Sequence, residues 1–222
     1  MAQYIAKEIK CATTNASQAS VTGLAQTNKN CLVGKDGGWC RSYLDFDFSG
    51  ISDDVVVTSA YLKFYVFARD SIYMNYADSR GYVYIGKMTS LWNESELNWS
   101  NKPSQIKTQT VKVPSTGIIT IDITTIVQDW FTNPSTRYGI ELSVREDSII
   151  SGAYYKFYNH YSDNQEYVPY IEINYEGLQM YKISEPRLRE FGDEIRRITG
   201  KTNGMTLETM LTELKTIPTQ TS

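Results

Sequence analysis

From the N-terminus to Tyr175 the apolar residues recur mainly at every second position, and that period restricts this part of the chain to β-strands with one buried and one wet face. The alternation is clearest in YLKFYVF (Tyr61 to Phe67), GYVYIGK (Gly81 to Lys87), GIITIDI (Gly117 to Ile123), YGIELSV (Tyr138 to Val144) and PYIEINY (Pro169 to Tyr175). Between them lie turn-forming clusters at Lys35 to Gly38, Asn75 to Gly81, Trp99 to Ser104 and Ser162 to Gln165. Many short strands joined by polar turns predict a mainly β protein with an antiparallel, jelly-roll-like β-sandwich. One segment breaks the period. ITTIVQDWFTN sets Ile123, Ile126, Val127, Trp130 and Phe131 on one helical face, follows Asp122 and stops before Pro134, so a single short helix is expected at one end of the sandwich.

After Tyr175 the period changes. LREFGDEIRRITGKTNGMTLETMLTELKTI places Leu188, Phe191, Ile195 and Ile198 three or four apart, breaks at Gly200, and resumes with Met205, Leu207, Met210, Leu211 and Leu214. This spacing predicts two amphipathic helices joined by a glycine-containing turn, with Pro186 in the first turn and Ser184 as a candidate cap. So small a hairpin has too little apolar surface to fold alone and must bury its stripe against the β part or against other copies of the chain. The expected organisation is a β-sandwich domain over residues 1–176 and a helical assembly or attachment segment over 177–222.

The 222 residues are 41% hydrophobic and 21% charged, enough apolar content for a full core and too evenly mixed in sign for disorder. A net charge of −3 with no cluster of Lys or Arg argues against a nucleic-acid partner and against anionic membranes. No apolar run reaches the roughly 20 residues needed to span a bilayer, and MAQYIAKEIKC lacks the apolar core of a signal peptide, so synthesis in the cytosol is expected. Cys11, Cys31 and Cys40 are an odd set without metal-ligand spacing in the sequence. They read as three buried thiols, with one disulfide between two of them as the alternative.

No catalytic constellation emerges, and the chain is read as a non-enzyme. His160, the only histidine, sits among tyrosines in YYKFYNHY and reads as a packing or hydrogen-bonding residue. Glu94 and Glu96 are too close in one loop to approach a glycosidic bond from opposing positions, and read as solvated carboxylates. Asp45 and Asp47 share a strand face, where Arg41 would neutralise them. No cofactor is expected. A structural calcium ion is carried as an alternative, with Asp36, Asp53, Asp54 and Asp163 as scattered oxygen donors and no metal ligands assigned.

The 17 tyrosines point to a different chemistry. Sugars are bound by exposed aromatic planes flanked by polar groups, because pyranose faces are apolar and their edges polar. Within YYKFYNHY, alternation puts Tyr155, Phe157, Asn159 and Tyr161 on one face and Tyr154, Lys156, Tyr158 and His160 on the other. The second set mixes rings with polar groups, so Tyr154, Lys156, Tyr158 and His160, together with Tyr73 and Tyr76, are the candidate ligand-binding residues.

Several segments taken in order resemble the β-sandwich modules of the DNRLRE type, a group that includes carbohydrate-binding modules. They are LVGKDGGWCRSYLDFDFSGI (Leu32 to Ile51), VTSAYLKFYV (Val57 to Val66), VYIGKMTSLWNESELNWSNKP (Val83 to Pro103), IDITTIVQDWFTNPSTRYGIELS (Ile121 to Ser143) and PYIEINY. The resemblance covers roughly residues 1–175 and implies a jelly-roll-like sandwich that binds polysaccharide in some members, with Trp92, Trp99 and Trp130 in the core. The loop YYKFYNHYSDNQEYVP departs from the Ser-Arg-Glu type found in relatives. The C-terminal run is similar to a short helical motif of tail and baseplate proteins from phages and prophages of Gram-positive hosts. Glu194, Ile195, Arg196, Thr199, Gly200, Lys201, Met205, Thr206, Leu207 and Met210 carry that match. Together the two resemblances imply a virion protein of a phage tail, made in the host cytoplasm, that attaches to bacterial surface polysaccharide. Its other partners would be tail or baseplate proteins and sister chains, in a homo-oligomer expected to be a trimer. The alternative is a purely structural virion protein without glycan affinity.

Overall fold

A computed structural model describes residues 1–69, 82–112, 116–144, 146, 154–177 and 185–199. The chain divides into two units, Met1–Leu178 and Gln179–Ser222. Among the described residues the first contains ten strands: β1 (Ala2–Asn15), β2 (Asn30–Asp36), β3 (Gly38–Phe46), β4 (Val56–Arg69), β5 (Tyr82–Met88), β6 (Gln105–Lys112), β7 (Gly117–Asp122), β8 (Ile140–Val144), β9 (Tyr154–Tyr158) and β10 (Tyr170–Glu176). Every strand pairing is antiparallel. The order β1-β10-β4-β9-β2-β3 closes on itself because β3 also pairs with β1. The expected sandwich is therefore closed through its hydrogen-bonded pairings into a six-stranded ring. From this ring β8, β5 and β6 extend from β3, and β7 extends from β4.

The long strand β4 joins the parts. Its residues 56–63 pair with β10 and 66–69 with β9, while residues 61–66 pair with β7 along the other edge. Alternation in YLKFYVF behaves as read: Leu62, Phe64 and Val66 are buried, whereas Tyr61, Lys63, Tyr65 and Phe67 stand half-exposed on the opposite face. The inward set joins Leu44, Ile85, Ile121, Leu142, Phe157 and Ile171 in the main core. A smaller cluster of Ala12, Tyr43, Met88, Trp92 and Leu97 forms separately.

The helix expected after Asp122 is present as α2 (Thr124–Thr132), and Ile123, Ile126, Val127, Trp130 and Phe131 are all buried. Asp122 Oδ1 accepts a hydrogen bond from the Thr124 amide at 2.9 Å, satisfying one of the first free amides of the helix. A second short helix, α1 (Leu24–Asn28), was not expected; at five residues, bracketed by left-handed Gly23 and Lys29, it is too short to show a period. The edge strand β6 was also missed, because its solvated sequence QIKTQTVK carries little apolar alternation.

In the second unit, α3 (Glu185–Thr199) begins where the change of period placed it, with Pro186 in its first turn. Ion pairs spaced three apart, Asp193 with Arg196 and Glu194 with Arg197, lie along it. The helix read over Met205 to Leu214 and the cap read at Ser184 lie outside the described residues. No helix among the described residues is long and apolar enough to cross a membrane.

Gly139 shows how tightly the sheet is packed. Its φ is +91°, and a Cβ there would lie 2.3 Å from the backbone oxygen of Leu44 on β3. Gly139→Ala is therefore expected to cost at least about 2 kcal/mol, from a left-handed conformation imposed on a Cβ and a clash with backbone that cannot rotate away. Urea denaturation of the two proteins checks this, and an unchanged midpoint would show that β3 and β8 approach less closely.

Candidate functional site

Tyr65 and Phe67 are two residues apart on β4 and so share its outer face. The neighbouring β9 sets Tyr158 on the same side, and a register shift between Val66 and Ala68 locally disrupts that pairing. Tyr167, from the single 3-10 turn Gln165–Tyr167 between β9 and β10, completes the group. Ring centroids are 4.6 Å apart for Phe67 and Tyr158, 5.5 Å for Tyr158 and Tyr167, and 4.3 Å for Tyr65 and Tyr167. The interplanar angles of 28°, 20° and 35° make a nearly parallel aromatic ladder. Each such pair contributes about 0.5–1.5 kcal/mol beyond its buried area. All four rings remain half-exposed, so the ladder is an open, rigid apolar surface.

Polar groups border it. Glu166, beside Tyr167, raises that phenol above its ordinary range. Lys63, next outward residue along β4, lies 2.8 Å from Glu172 on β10, and this carboxylate holds the ammonium charged above its usual range. Asn30 on β2 pairs with Tyr158, and the adjacent Lys29 bonds Asp163 at 2.9 Å. Further along β9, Lys156 Nζ stands 4.7 Å over the Tyr154 ring and 3.9 Å from Asp36. Flat rings edged by donors and acceptors match both the faces and the edges of a pyranose.

The alternation read in YYKFYNHY holds along β9: Tyr155 and Phe157 are buried, and Tyr154, Lys156 and Tyr158 face outward. It does not extend to His160. The strand ends at Tyr158, the chain turns, and the imidazole leaves the face to put Nδ1 2.5 Å from Glu8 Oε1. Tyr161, read on the opposite face, instead donates to Glu94 Oε2 at 2.8 Å. Tyr73 and Tyr76 lie outside the described residues. Tyr65, Phe67 and Tyr167 were not singled out in the sequence, although the same-face spacing Tyr61, Lys63, Tyr65, Phe67 carries the signal for the first two.

Two other surfaces are less suited. Trp92 and Trp130 are buried as expected, but Trp99 is half-exposed and its ring is covered by Lys102 at 4.1 Å and Arg41 at 5.1 Å. A cavity of about 730 Å³ between β6 and α2 is lined by Ile106, Gln109, Thr125 and Ile126 among others, without an aromatic ring. The carboxylates raised as calcium donors do not converge: Asp53 and Asp163 pair with Arg137 and Lys29, and Asp36 faces Lys156. Arg41 is committed to Glu141 and Glu146, while Asp45 pairs with Lys10 at 3.1 Å. All three cysteines are buried and free, as read.

A family model, carbohydrate-binding module family 96, matches residues 7–174. That span contains the whole of the closed ring except the ends of β1 and β10, and every ring of the aromatic ladder. No curated protein matches the chain.

Proposed function

This chain belongs to carbohydrate-binding module family 96, and from that premise we propose that it is a non-catalytic attachment protein of a phage or prophage tail whose β domain binds bacterial surface polysaccharide. The observation that carries the proposal is the ladder Tyr65, Phe67, Tyr158 and Tyr167, which meets a sugar chain with stacked planes rather than a deep pocket. A binding surface of this kind needs no ionisable pair poised across a bond. The tail assignment rests on the Glu-Ile-Arg, Thr-Gly-Lys and Met-Thr-Leu-x-x-Met segments of residues 194–210, which resemble tail and baseplate proteins of Gram-positive hosts. In this reading the helical segment holds the protein to the particle or to sister chains, and the sandwich faces the host.

The test is binding of the purified full chain to intact Gram-positive cells and to polysaccharide extracted from their walls. Saturable binding to a polysaccharide fraction, with no oligosaccharide released on incubation, is the expected result. A folded protein that binds no wall fraction would favour a purely structural place in the particle, and released oligosaccharide would overturn the non-catalytic reading.

A further inference from the structure

Four distant chain segments bring a cluster of ionisable side chains together inside the fold. Glu8 and Cys11 both come from β1. Three residues apart, they would face opposite ways in a regular strand, but the pairing with β3 shifts register between Glu8 and Lys10, and this bulge turns both inward. Glu8 is 3% exposed and Cys11 is fully buried. His160 arrives from the turn after β9, and Glu94 from the segment after β5. Glu94 Oε1 accepts from the Cys11 amide at 2.7 Å and lies 3.8 Å from His160 Nε2. Cys31, on β2 and fully buried, neighbours the Cys11 thiol.

The cluster is incompletely satisfied. Glu8 Oε2 has no hydrogen-bond partner, and among the described residues His160 is the only basic group paired with Glu8 or Glu94. A buried carboxylate with one free oxygen is costly unless a cation or donor completes it. A carboxylate oxygen of Glu8, the Cys11 sulfur and a ring nitrogen of His160 lie within 4.8 Å of one another. Tetrahedral zinc, with bonds of about 2.0–2.3 Å, spaces its donors by roughly 3.3–3.8 Å, so small side-chain rotations suffice.

We propose that Glu8, Cys11 and His160 hold a divalent transition metal of the zinc class, with solvent as the fourth ligand. Sulfur and imidazole donors select such a metal over calcium or magnesium, which take oxygen ligands. Coordination through His160 Nδ1 leaves Nε2–H directed at Glu94, giving the carboxylate–imidazole–metal relay that orients a ligating ring. Glu94 is itself held by the Tyr161 hydroxyl, which donates to Oε2 at 2.8 Å. Binding displaces the Cys11 thiol proton to solvent and fastens β1 to the turn after β9. The site is independent of the sugar-binding reading, since none of its residues belongs to the ladder.

The full chain, kept reduced and stripped with a chelator, is titrated with Co(II) and then Zn(II). The expected result is one Co(II) per chain with a thiolate-to-cobalt charge-transfer band, displaced by Zn(II), and a higher melting temperature with either metal. Cys11→Ser is expected to abolish the band, Glu94→Gln to weaken zinc binding about 10–100-fold, and Cys40→Ser, outside the cluster, to change neither. A folded protein with all three thiols titratable that takes up no Co(II) would overturn the proposal. So would a charge-transfer band that survives in the folded Cys11→Ser variant. Should Cys11 and Cys31 be found oxidised to a disulfide on isolation, reduction must restore metal uptake or the site is refuted.

Discussion

Tyr158→Ala is expected to weaken binding to wall polysaccharide by about 30-fold or more, equivalent to roughly 2 kcal/mol. Tyr158 is the centre of the ladder, with its ring 4.6 Å from Phe67, 5.5 Å from Tyr167 and 5.8 Å from Tyr65. Its loss removes one stacking plane and the support that fixes the orientation of its neighbours. Binding hot spots behave this way, because a rigid ring loses little conformational entropy when a ligand lands on it. Tyr158→Phe keeps the plane and is expected to retain affinity within a few-fold. The lost ring contacts should lower the melting temperature by several degrees, but because the side chain is half-exposed and β9 keeps its backbone pairing to β2 and β4, the alanine variant should stay folded at the temperature of the binding assay. Calorimetry with extracted polysaccharide, beside a thermal melt, separates binding from folding. Undiminished affinity in Tyr158→Ala, paired with a loss in Trp99→Ala, would move the site to the cation-covered indole.

The sequence made legible what depends on local period. The outward set Tyr154, Lys156, Tyr158 follows from strand alternation, and the α2 face from Ile123 to Phe131 follows from helical spacing. What it could not show depends on where distant strands meet. Tyr65 and Tyr167 are 102 positions apart and become neighbours only because β4 turns from β10 to β9 along one edge. His160 was misplaced by extending a two-residue period past the end of its strand at Tyr158. Glu94, read as a solvated loop carboxylate, is drawn in by the Cys11 amide and the Tyr161 hydroxyl. The Glu8 cluster was hidden for a further reason: a bulge breaks the very alternation used to assign faces, and no spacing in the sequence joins residues 8, 31, 94 and 160. Bulges and turn ends are where local rules give way, and both lie at the sites with chemistry.

Replacing Trp130 by alanine is expected to lower stability by about 3–5 kcal/mol, a large part of the roughly 5–15 kcal/mol typical of a domain. The indole is fully buried on α2, packed edge-on against Phe48 with centroids 5.7 Å apart, and Arg137 Nε donates to the Trp130 carbonyl at 3.0 Å. Its truncation leaves a cavity that the closed ring has little freedom to collapse around. Trp130→Phe provides a sharper comparison. The indole N–H has no hydrogen-bond partner, so phenylalanine keeps most of the apolar contact and removes an unsatisfied donor. Its cost is expected to stay below about 1.5 kcal/mol. Urea denaturation at constant m-value measures both. The consequence for function follows from the way α2 is tied to β4. The Ala60 amide donates to Thr124 Oγ1 at 3.0 Å, and Gln128 Nε2 donates to the Val57 carbonyl at 3.0 Å. Both anchors lie in the half of β4 that pairs with β10, whereas Tyr65 and Phe67 occupy its far end. Polysaccharide binding by Trp130→Ala, measured well below its lowered melting temperature, should therefore match wild type. Lost binding in a fully folded variant would mean that the ladder depends on the helix through the length of β4.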